Sequence, residues 1–244
     1  MSHPQLGEYR YPYPAVKNHK SKLFTKNGMI ISVEGLDGAG KSTFVKQLEE
    51  RLCKENKVYT GNFIHSPWLK DSLLQFKYNN CDEYSFTLLY TMALSRFFTE
   101  EIAPKLDEGY VVVLDRYILT IFSKGVVRGV DDKWLRGVLS VFREADVQIF
   151  IDTDIDLCLK RKCSSDKILS YWECGCMLSK DDSLRMGYDA AKYKENFILY
   201  QKSIREILIS EMNPSCIVLR YDDFVEMKEQ LDYVMKQISI KLAR

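Results

Sequence analysis

The stretch Gly35-Leu-Asp-Gly-Ala-Gly-Lys-Ser-Thr43 decides the fold of this chain. It satisfies the P-loop pattern G-x-x-x-x-G-K-[ST], and its context fits, because the apolar run Met29–Val33 precedes it and a helical pattern follows it. Its glycines let successive backbone N–H groups turn inward around phosphate oxygens. The N-terminus of the following helix adds a positive dipole at the same place. We therefore predict a phosphate-binding loop here.

Two side chains of this loop are predicted to bind the nucleotide and its metal ion. Lys41 is predicted to reach the β- and γ-phosphates of a nucleotide, and the Ser42 hydroxyl is predicted to ligate Mg²⁺. ATP and Mg²⁺ are therefore the predicted cofactors. The residues predicted to bind the nucleotide are Gly35, Gly38, Ala39, Gly40, Lys41, Ser42 and Thr43.

Outward from the loop, the chain alternates short apolar runs with helix-length amphipathic segments. This alternation predicts an α/β fold with a parallel sheet of about five strands flanked by helices. The C-terminal ends of such strands meet at one edge of the sheet, where ligands bind. The predicted strands are Met29–Val33, Val58–Ile64, Tyr110–Leu114, Val147–Ile151 and Cys216–Leu219, and the clearest predicted helices are Thr43–Lys54 and Ser85–Leu106.

The third predicted strand ends in a charged pair, Asp115 and Arg116, followed by Tyr117. Asp115 is placed to hold Mg²⁺ directly or through water, and Arg116 suits a phosphate acceptor, because a guanidinium binds phosphate in a bidentate manner. Neither the second-strand Asp-x-x-Gly nor the Asn-Lys-x-Asp sequence of signalling GTPases is present. The combination favours a kinase with a phosphorylated acceptor.

These motifs resemble the thymidylate kinase family of nucleoside-monophosphate kinases. The resemblance extends from Met29 to Leu242 and implies ATP- and Mg²⁺-dependent phosphoryl transfer to a nucleoside monophosphate, with dTMP as the first candidate. ATP and a nucleoside monophosphate are the implied partners. The stretches that carry the resemblance are Val33-Glu-Gly-Leu-Asp-Gly-Ala-Gly-Lys-Ser-Thr43, Asp115-Arg116-Tyr117, Leu88–Arg96, Ile102-Ala-Pro104 and Gly109.

The resemblance also implies roles for individual side chains. Asp37 would accept a hydrogen bond from the 3′-hydroxyl of the acceptor sugar, Arg116 would hold the acceptor phosphate, and Arg96 would reach the acceptor nucleotide. Position 38 is Gly, as in members that take a catalytic arginine from the lid. The implied catalytic residues are Lys41, Asp37, Arg116, Arg161 and Arg185, and the further positions implied for the acceptor are Pro67, Met92, Thr120 and Lys124.

Three residues depart from the family pattern in the acceptor site. Met92 takes the place of a base-stacking phenylalanine, Ile121 replaces a polar residue that can read the pyrimidine, and Lys124 stands where an aromatic residue contacts the sugar. Ile64-His-Ser-Pro-Trp68 also lacks an expected arginine. We therefore expect a poor match for dTMP. A kinase for another (deoxy)nucleoside monophosphate, a deoxynucleoside kinase and a catalytically silent nucleotide-binding module stay open as alternatives.

Two segments, an N-terminal extension and a lid, lie outside the regular alternation of strands and helices. The extension is predicted at residues 1–27, and the P-loop kinase domain is predicted at residues 28–244. Within that domain, the polar segment at about 162–187 is too long for a simple connection and is predicted to be a lid.

The composition excludes several other classes of protein. The formal net charge is +1, which disfavours nucleic-acid binding as the main function. No run of 18 apolar residues suggests a membrane span, and no apolar signal core stands at the N-terminus. The seven cysteines lack regular pairing and fit free thiols in a reducing compartment. We expect a cytoplasmic enzyme, and the sequence leaves a homodimer open.

Overall fold

The computed structural model describes residues 27–65, 82–163, 169, 173–175, 190–221 and 227–242 of the chain. The predicted N-terminal extension and most of the predicted lid lie outside these ranges. None of the described helices combines the length and the apolar character that crossing a membrane requires.

Five parallel strands form one sheet in the order β2-β3-β1-β4-β5, which confirms the predicted α/β architecture. The P-loop strand β1 lies in the centre, between β3 and β4. Each strand matches one of the predicted apolar runs to within three residues at either end. The strands are β1 Met29–Gly35, β2 Val58–Gly61, β3 Val111–Asp115, β4 Val147–Thr153 and β5 Ile217–Tyr221.

Helices connect the strands. The predicted helix Ser85–Leu106 is present as three consecutive pieces, α2, a π-helical turn at Phe98–Ile102, and α3. A 3₁₀ turn, Phe63–His65, follows β2. The helices of the described ranges are α1 Lys41–Leu52, α2 Glu83–Phe97, α3 Ala103–Asp107, α4 Ile118–Val127, α5 Asp132–Leu139, α6 Ile155–Cys163, α7 Ala190–Glu211 and α8 Met227–Leu242.

Both faces of the sheet are buried, as the Val- and Ile-rich strands predict. Along β3, Val111 and Val113 pack into one hydrophobic cluster, and Val112 and Leu114 pack into the other. Successive side chains of a strand point to opposite faces, so a continuous apolar run fills both clusters. This double burial fixes the central strands and holds their C-terminal ends in place.

The C-terminal ends of β1, β3 and β4 meet at the edge where the P-loop emerges. In the sheet register Val33 lies beside Asp115 on one side, and Gly35 lies beside Ile151 on the other. The crossover directions diverge at β1, which makes this a topological switch point. The fold therefore brings the P-loop and the Asp115-Arg116 pair together.

Candidate active site

The P-loop turns through two glycines with left-handed backbone conformations. Gly38 has φ +90°, and a Cβ there would lie 2.6 Å from the carbonyl oxygen of Cys158. Gly40 has φ +96° and is the N-cap residue of α1, without a capping side chain. Both positions therefore require glycine, one for conformation and close packing and the other for conformation. The uncapped N-terminus of α1 leaves backbone N–H groups available for an anion.

Lys41 points into this loop and is buried. Its Nζ donates to the carbonyl oxygens of Gly35 at 3.0 Å and Leu36 at 2.6 Å. Burial lowers the pKa of Lys41 to about 7, and the nearby positive charge of Arg116 adds to the effect. A bound phosphate would supply the negative charge that this ammonium lacks.

Ser42 and Asp115 form a pair of oxygen ligands beside the loop. Oγ of Ser42 donates to Oδ2 of Asp115 at 2.5 Å. Oδ1 of Asp115 is buried and has no hydrogen-bond partner among the described residues. Hydroxyl and carboxylate oxygens are the hard ligands that Mg²⁺ prefers, and a cation would satisfy the unpaired oxygen. The donor set thus fits the predicted ion.

Asp37 is the centre of a buried charge cluster. Arg116 donates to Oδ1 of this carboxylate, and Nζ of Lys124 lies 3.2 Å from Oδ2. Burial alone would raise the pKa of Asp37, but the positive charges of Lys124, Arg116 and Lys41 hold it well below its ordinary value. Arg116 also has φ +77°, the only positive φ of a non-glycine residue in the described ranges. Such local strain is often found at functional sites.

Gln201, on α7, is a member of this cluster that sequence reasoning missed. Its Oε1 accepts from the backbone N–H of Asp37 at 3.0 Å, and its Nε2 lies 3.4 Å from Oδ2 of Asp37. Gln201 is fully buried. No local motif signals this residue, because its partner lies 164 positions earlier in the chain.

Glu34, the residue before the P-loop, anchors the start of α4. It accepts from the backbone N–H of Tyr117 at 2.9 Å and from Oγ1 of Thr120 at 2.5 Å. Burial raises the pKa of this carboxyl, and these hydrogen bonds oppose the rise. Thr120 therefore ties α4 to β1, in addition to lining the cavity described next.

A small cavity opens between α2 and α4. The rings of Phe86 and Tyr90 form one wall, with centroids 4.8 Å apart, and Lys124 connects the cavity to Asp37. Apolar and aromatic walls with a few polar groups are typical of small-molecule sites. The lining residues are Phe86, Thr87, Tyr90, Thr120, Ile121, Lys124, Gly125 and Arg128.

Of the two arginines predicted to act from the lid, Arg161 lies within the described residues and Arg185 does not. Nη1 of Arg161, near the end of α6, lies 3.4 Å from the carbonyl oxygen of Ala39 and 3.5 Å from that of Gly38. The guanidinium therefore lies against the P-loop. Arg185 and the predicted acceptor residue Pro67 lie outside the described residues.

The structure does not bring Met92 and Arg96 to the cavity. Met92 is 53% exposed, and the Arg96 side chain is half exposed and paired with Glu100 at 2.7 Å. Two residues along a helix correspond to a rotation of about 200°, so Met92 lies on the face opposite Tyr90. Phe86 and Tyr90, and not Met92, are the residues of α2 that line the cavity with an aromatic ring. The spacing of Phe86 and Tyr90, one helical turn apart, is the signal that would have found them.

Comparison with known proteins gives a consistent result. Residues 33–207 match the family model of thymidylate kinase. A probable thymidylate kinase 2 of Saccharolobus solfataricus is 27% identical over 181 residues, which cover 73% of this chain and 84% of that protein. The thymidylate kinase of Enterococcus faecalis is 31% identical over 144 residues, which cover 55% of this chain and 68% of that protein.

Solved structures show the same fold. A structure of thymidylate kinase from Candida albicans has a TM-score of 0.64 at 17% identity and covers 88% of this chain and 92% of its own. A thymidylate kinase structure from Ehrlichia chaffeensis has a TM-score of 0.57 at 19% identity and covers 87% of this chain and 99% of its own.

Proposed function

This chain belongs to the thymidylate kinase family, and on that premise we propose that it transfers the γ-phosphoryl group of ATP to dTMP, giving dTDP and ADP. One observation carries the proposal: the buried carboxylate of Asp37 joins the P-loop, Arg116 and the aromatic cavity into one continuous site. A donor nucleotide at the loop and an acceptor nucleotide in the cavity would then present their phosphates to each other.

The acceptor side of this site has residues suited to each part of a nucleoside monophosphate. Arg116 would bind the phosphate, and Asp37 would accept a hydrogen bond from the 3′-hydroxyl of the sugar. The rings of Phe86 and Tyr90 give the base a surface for stacking. The second pKa of a phosphate monoester lies near 6, so the acceptor is mostly a dianion at neutral pH and needs no strong general base.

Catalysis in this arrangement depends on alignment and on neutralising negative charge. Lys41 and the backbone N–H groups of the P-loop would hold the β- and γ-phosphates of the donor. Arg161, which lies against the loop, would add positive charge near the transferring group. Ser42 and Asp115 are the residues that would hold Mg²⁺, and the bound ion supplies charge neutralisation on the phosphates.

The test is a screen of acceptors with the full-length protein, ATP and Mg²⁺. The nucleoside monophosphates dTMP, dUMP, dCMP, dGMP and dAMP are each incubated, and the diphosphate products are separated by ion-exchange chromatography. We expect dTDP to form in step with ADP, and ADP release without an acceptor to be slow. ATP hydrolysis with no diphosphate product from any acceptor would exclude the proposed function.

We also propose that the enzyme works in the cytoplasm and as a homodimer. The described cysteines are free thiols, which suits a reducing compartment; they are Cys53, Cys158, Cys163, Cys174 and Cys216. The homodimer is supported by α2, whose outer face exposes Leu88 at 46% and Met92 at 53%, one helical turn apart. Adjacent exposed apolar side chains of this kind are typical of a protein interface.

A further inference from the structure

Arg128 is a buried arginine in the wall of the acceptor cavity, and no role in the reaction follows for it from the P-loop or the Asp115-Arg116 pair. It directly follows α4, one helical turn beyond Lys124, so the two side chains share one face. Its side chain is only 4% exposed. A cation is seldom buried to this extent unless particular partners hold it.

Four contacts fix the position of this guanidinium. Nε of Arg128 donates to the hydroxyl of Tyr200 at 3.0 Å, and Nη1 lies 3.7 Å from Oε2 of Glu83. The guanidinium carbon lies 4.5 Å from the ring centroid of Phe86 and 5.7 Å from that of Tyr200. Aromatic faces on a cation stabilise it and restrict its rotation. The surroundings therefore hold the guanidinium rigidly at the cavity wall.

The order of cations along the site assigns Arg128 to the base. Arg116 and Lys124 both contact Asp37, at the P-loop end of the site. Arg128 lies one turn farther along α4, beside Phe86 and away from the P-loop. An acceptor whose phosphate binds Arg116 would pass its sugar by Asp37 and Lys124. Its base would then be the part that reaches Arg128.

The chemistry of a guanidinium restricts which base edge can meet it. The group presents five N–H donors in a fixed plane and no acceptor. Thymine and uracil carry a carbonyl oxygen at position 4, which accepts a hydrogen bond. Cytosine carries an amino group there, which would place donor against donor at that position.

We propose that Arg128 is a specificity-determining residue that selects pyrimidine acceptors with a carbonyl oxygen at position 4, and that Tyr200 is the residue that positions it. The proposal rests on the proposed function and names the base edge that the same site reads. Arg128 thereby supplies a hydrogen-bonding group to the base in a cavity where Ile121 offers none. Sites that bind a polar substrate group with a buried partner discriminate strongly against analogues that lack it.

The test compares dUMP with dCMP, which differ in the groups at positions 3 and 4 of the base, in the full-length protein. We expect the unmodified enzyme to have a kcat/KM for dUMP at least about 100-fold above that for dCMP. Arg128→Met keeps the length of the side chain but has no donors, so kcat/KM for dUMP should fall about 100-fold while that for dCMP changes little. Tyr200→Phe keeps the ring but not the hydroxyl. Its ratio of kcat/KM for dUMP to kcat/KM for dCMP should lie between those of the unmodified enzyme and Arg128→Met.

Arg136→Met is the matched control. Arg136 also stacks on a phenylalanine ring, Phe122 at 4.6 Å, but it is half exposed and does not line the acceptor cavity. In Arg136→Met the ratio of kcat/KM for dUMP to kcat/KM for dCMP should equal that of the unmodified enzyme. Equal losses for dUMP and dCMP in Arg128→Met, or a ratio below about threefold in the unmodified enzyme, would overturn the proposal while the kinase assignment stands. If Arg128→Met does not fold, the ratios of the unmodified enzyme and Tyr200→Phe decide, since an unchanged ratio in Tyr200→Phe refutes the positioning.

Discussion

At the residue scale, three buried cations share the carboxylate of Asp37 at the centre of the site. Lys41, Arg116 and Lys124 all lie in its field, and each has a desolvated charge. Asp115 and Glu34 also act on these cations, yet the three positive charges stay desolvated at the point where two phosphorylated nucleotides would meet. Phosphate groups of a bound nucleotide would add negative charge there, so ligand binding and protein stability should be linked.

Replacement of Lys41 by Ala should separate catalysis from folding. The ammonium donates to two carbonyl oxygens of its own loop, so its loss leaves the core packing intact. We expect turnover to fall by about 10²–10³-fold, the usual effect of removing one preorganised donor. Far-UV circular dichroism and steady-state turnover are measured on the same preparation. Turnover within tenfold of the parent enzyme would show that Lys41 does not serve the transferring phosphate.

Replacement of Arg116 by Ala should weaken the acceptor far more than the donor. Removing one partner of a buried, charge-assisted contact costs about 2–5 kcal/mol, so the KM for dTMP should rise steeply while that for ATP changes little. Arg116→Lys is the matched control, because it keeps the charge but loses the bidentate geometry, and it should give an intermediate KM. A parallel rise of both KM values would instead place Arg116 on the donor side or in the scaffold.

The two depressed lysine pKa values predict how stability depends on pH. Burial lowers the pKa of Lys41 to about 7 and that of Lys124 to about 8, from 10.5 in the unfolded chain. Above pH 7 the unfolded state therefore binds more protons than the folded state, and stability rises with pH. The midpoint of thermal unfolding without ligand should increase between pH 7 and pH 8.5. In the variant Lys41→Met this increase should be smaller, and an equal increase would assign it to other groups.

At the element scale, the sequence predicted the five strands and the helices at Thr43–Lys54 and Ser85–Leu106, but not how α2 is rotated. The strands are continuous apolar runs, and the P-loop is a local motif whose glycines set its own backbone. By contrast, α2 has apolar residues on both faces, with Leu88 and Met92 exposed and Phe86 buried. A period of 3.6 residues cannot distinguish the two faces when both are apolar. The side of α2 that faces the cavity is therefore visible only in the packed structure.

This rotation predicts a contrast between two neighbouring residues of α2. Tyr90 lines the cavity, so Tyr90→Leu should remove base stacking worth about 0.5–1.5 kcal/mol and raise the KM for dTMP several-fold. Met92→Leu changes a side chain on the outer face and should leave kcat and KM unchanged. The KM values for dTMP are measured for both variants and compared. A larger effect of Met92→Leu would restore the original assignment of Met92 to the acceptor base.

At the scale of the whole molecule, long-range contacts complete what the local motifs begin. Gln201 reaches Asp37 from α7, and Tyr200, its neighbour, reaches Arg128. Neither contact follows from a spacing rule, because each joins α7 to a segment that is distant in the sequence and adjacent only after the sheet has formed. A single helix therefore supports both the charge cluster and the base end of the cavity. The sequence could predict the chemistry at the P-loop, whereas the contacts of Gln201 and Tyr200 depend on tertiary packing.

The outer face of α2 provides the last prediction, which concerns assembly. Leu88 and Met92 lie one turn apart and are about half exposed, and burial of such side chains would favour association through this helix. Leu88→Lys places a charge in that face, so sedimentation velocity should show a shift from dimer to monomer at micromolar concentration. Ile209→Lys is the matched control, because Ile209 is 45% exposed on α7, and it should leave the mass unchanged. A monomeric parent protein, or a dimer that survives Leu88→Lys, would rule out association through this face. The acceptor cavity opens on the opposite face of α2, so the monomeric variant should keep its KM for dTMP if the interface and the active site are independent.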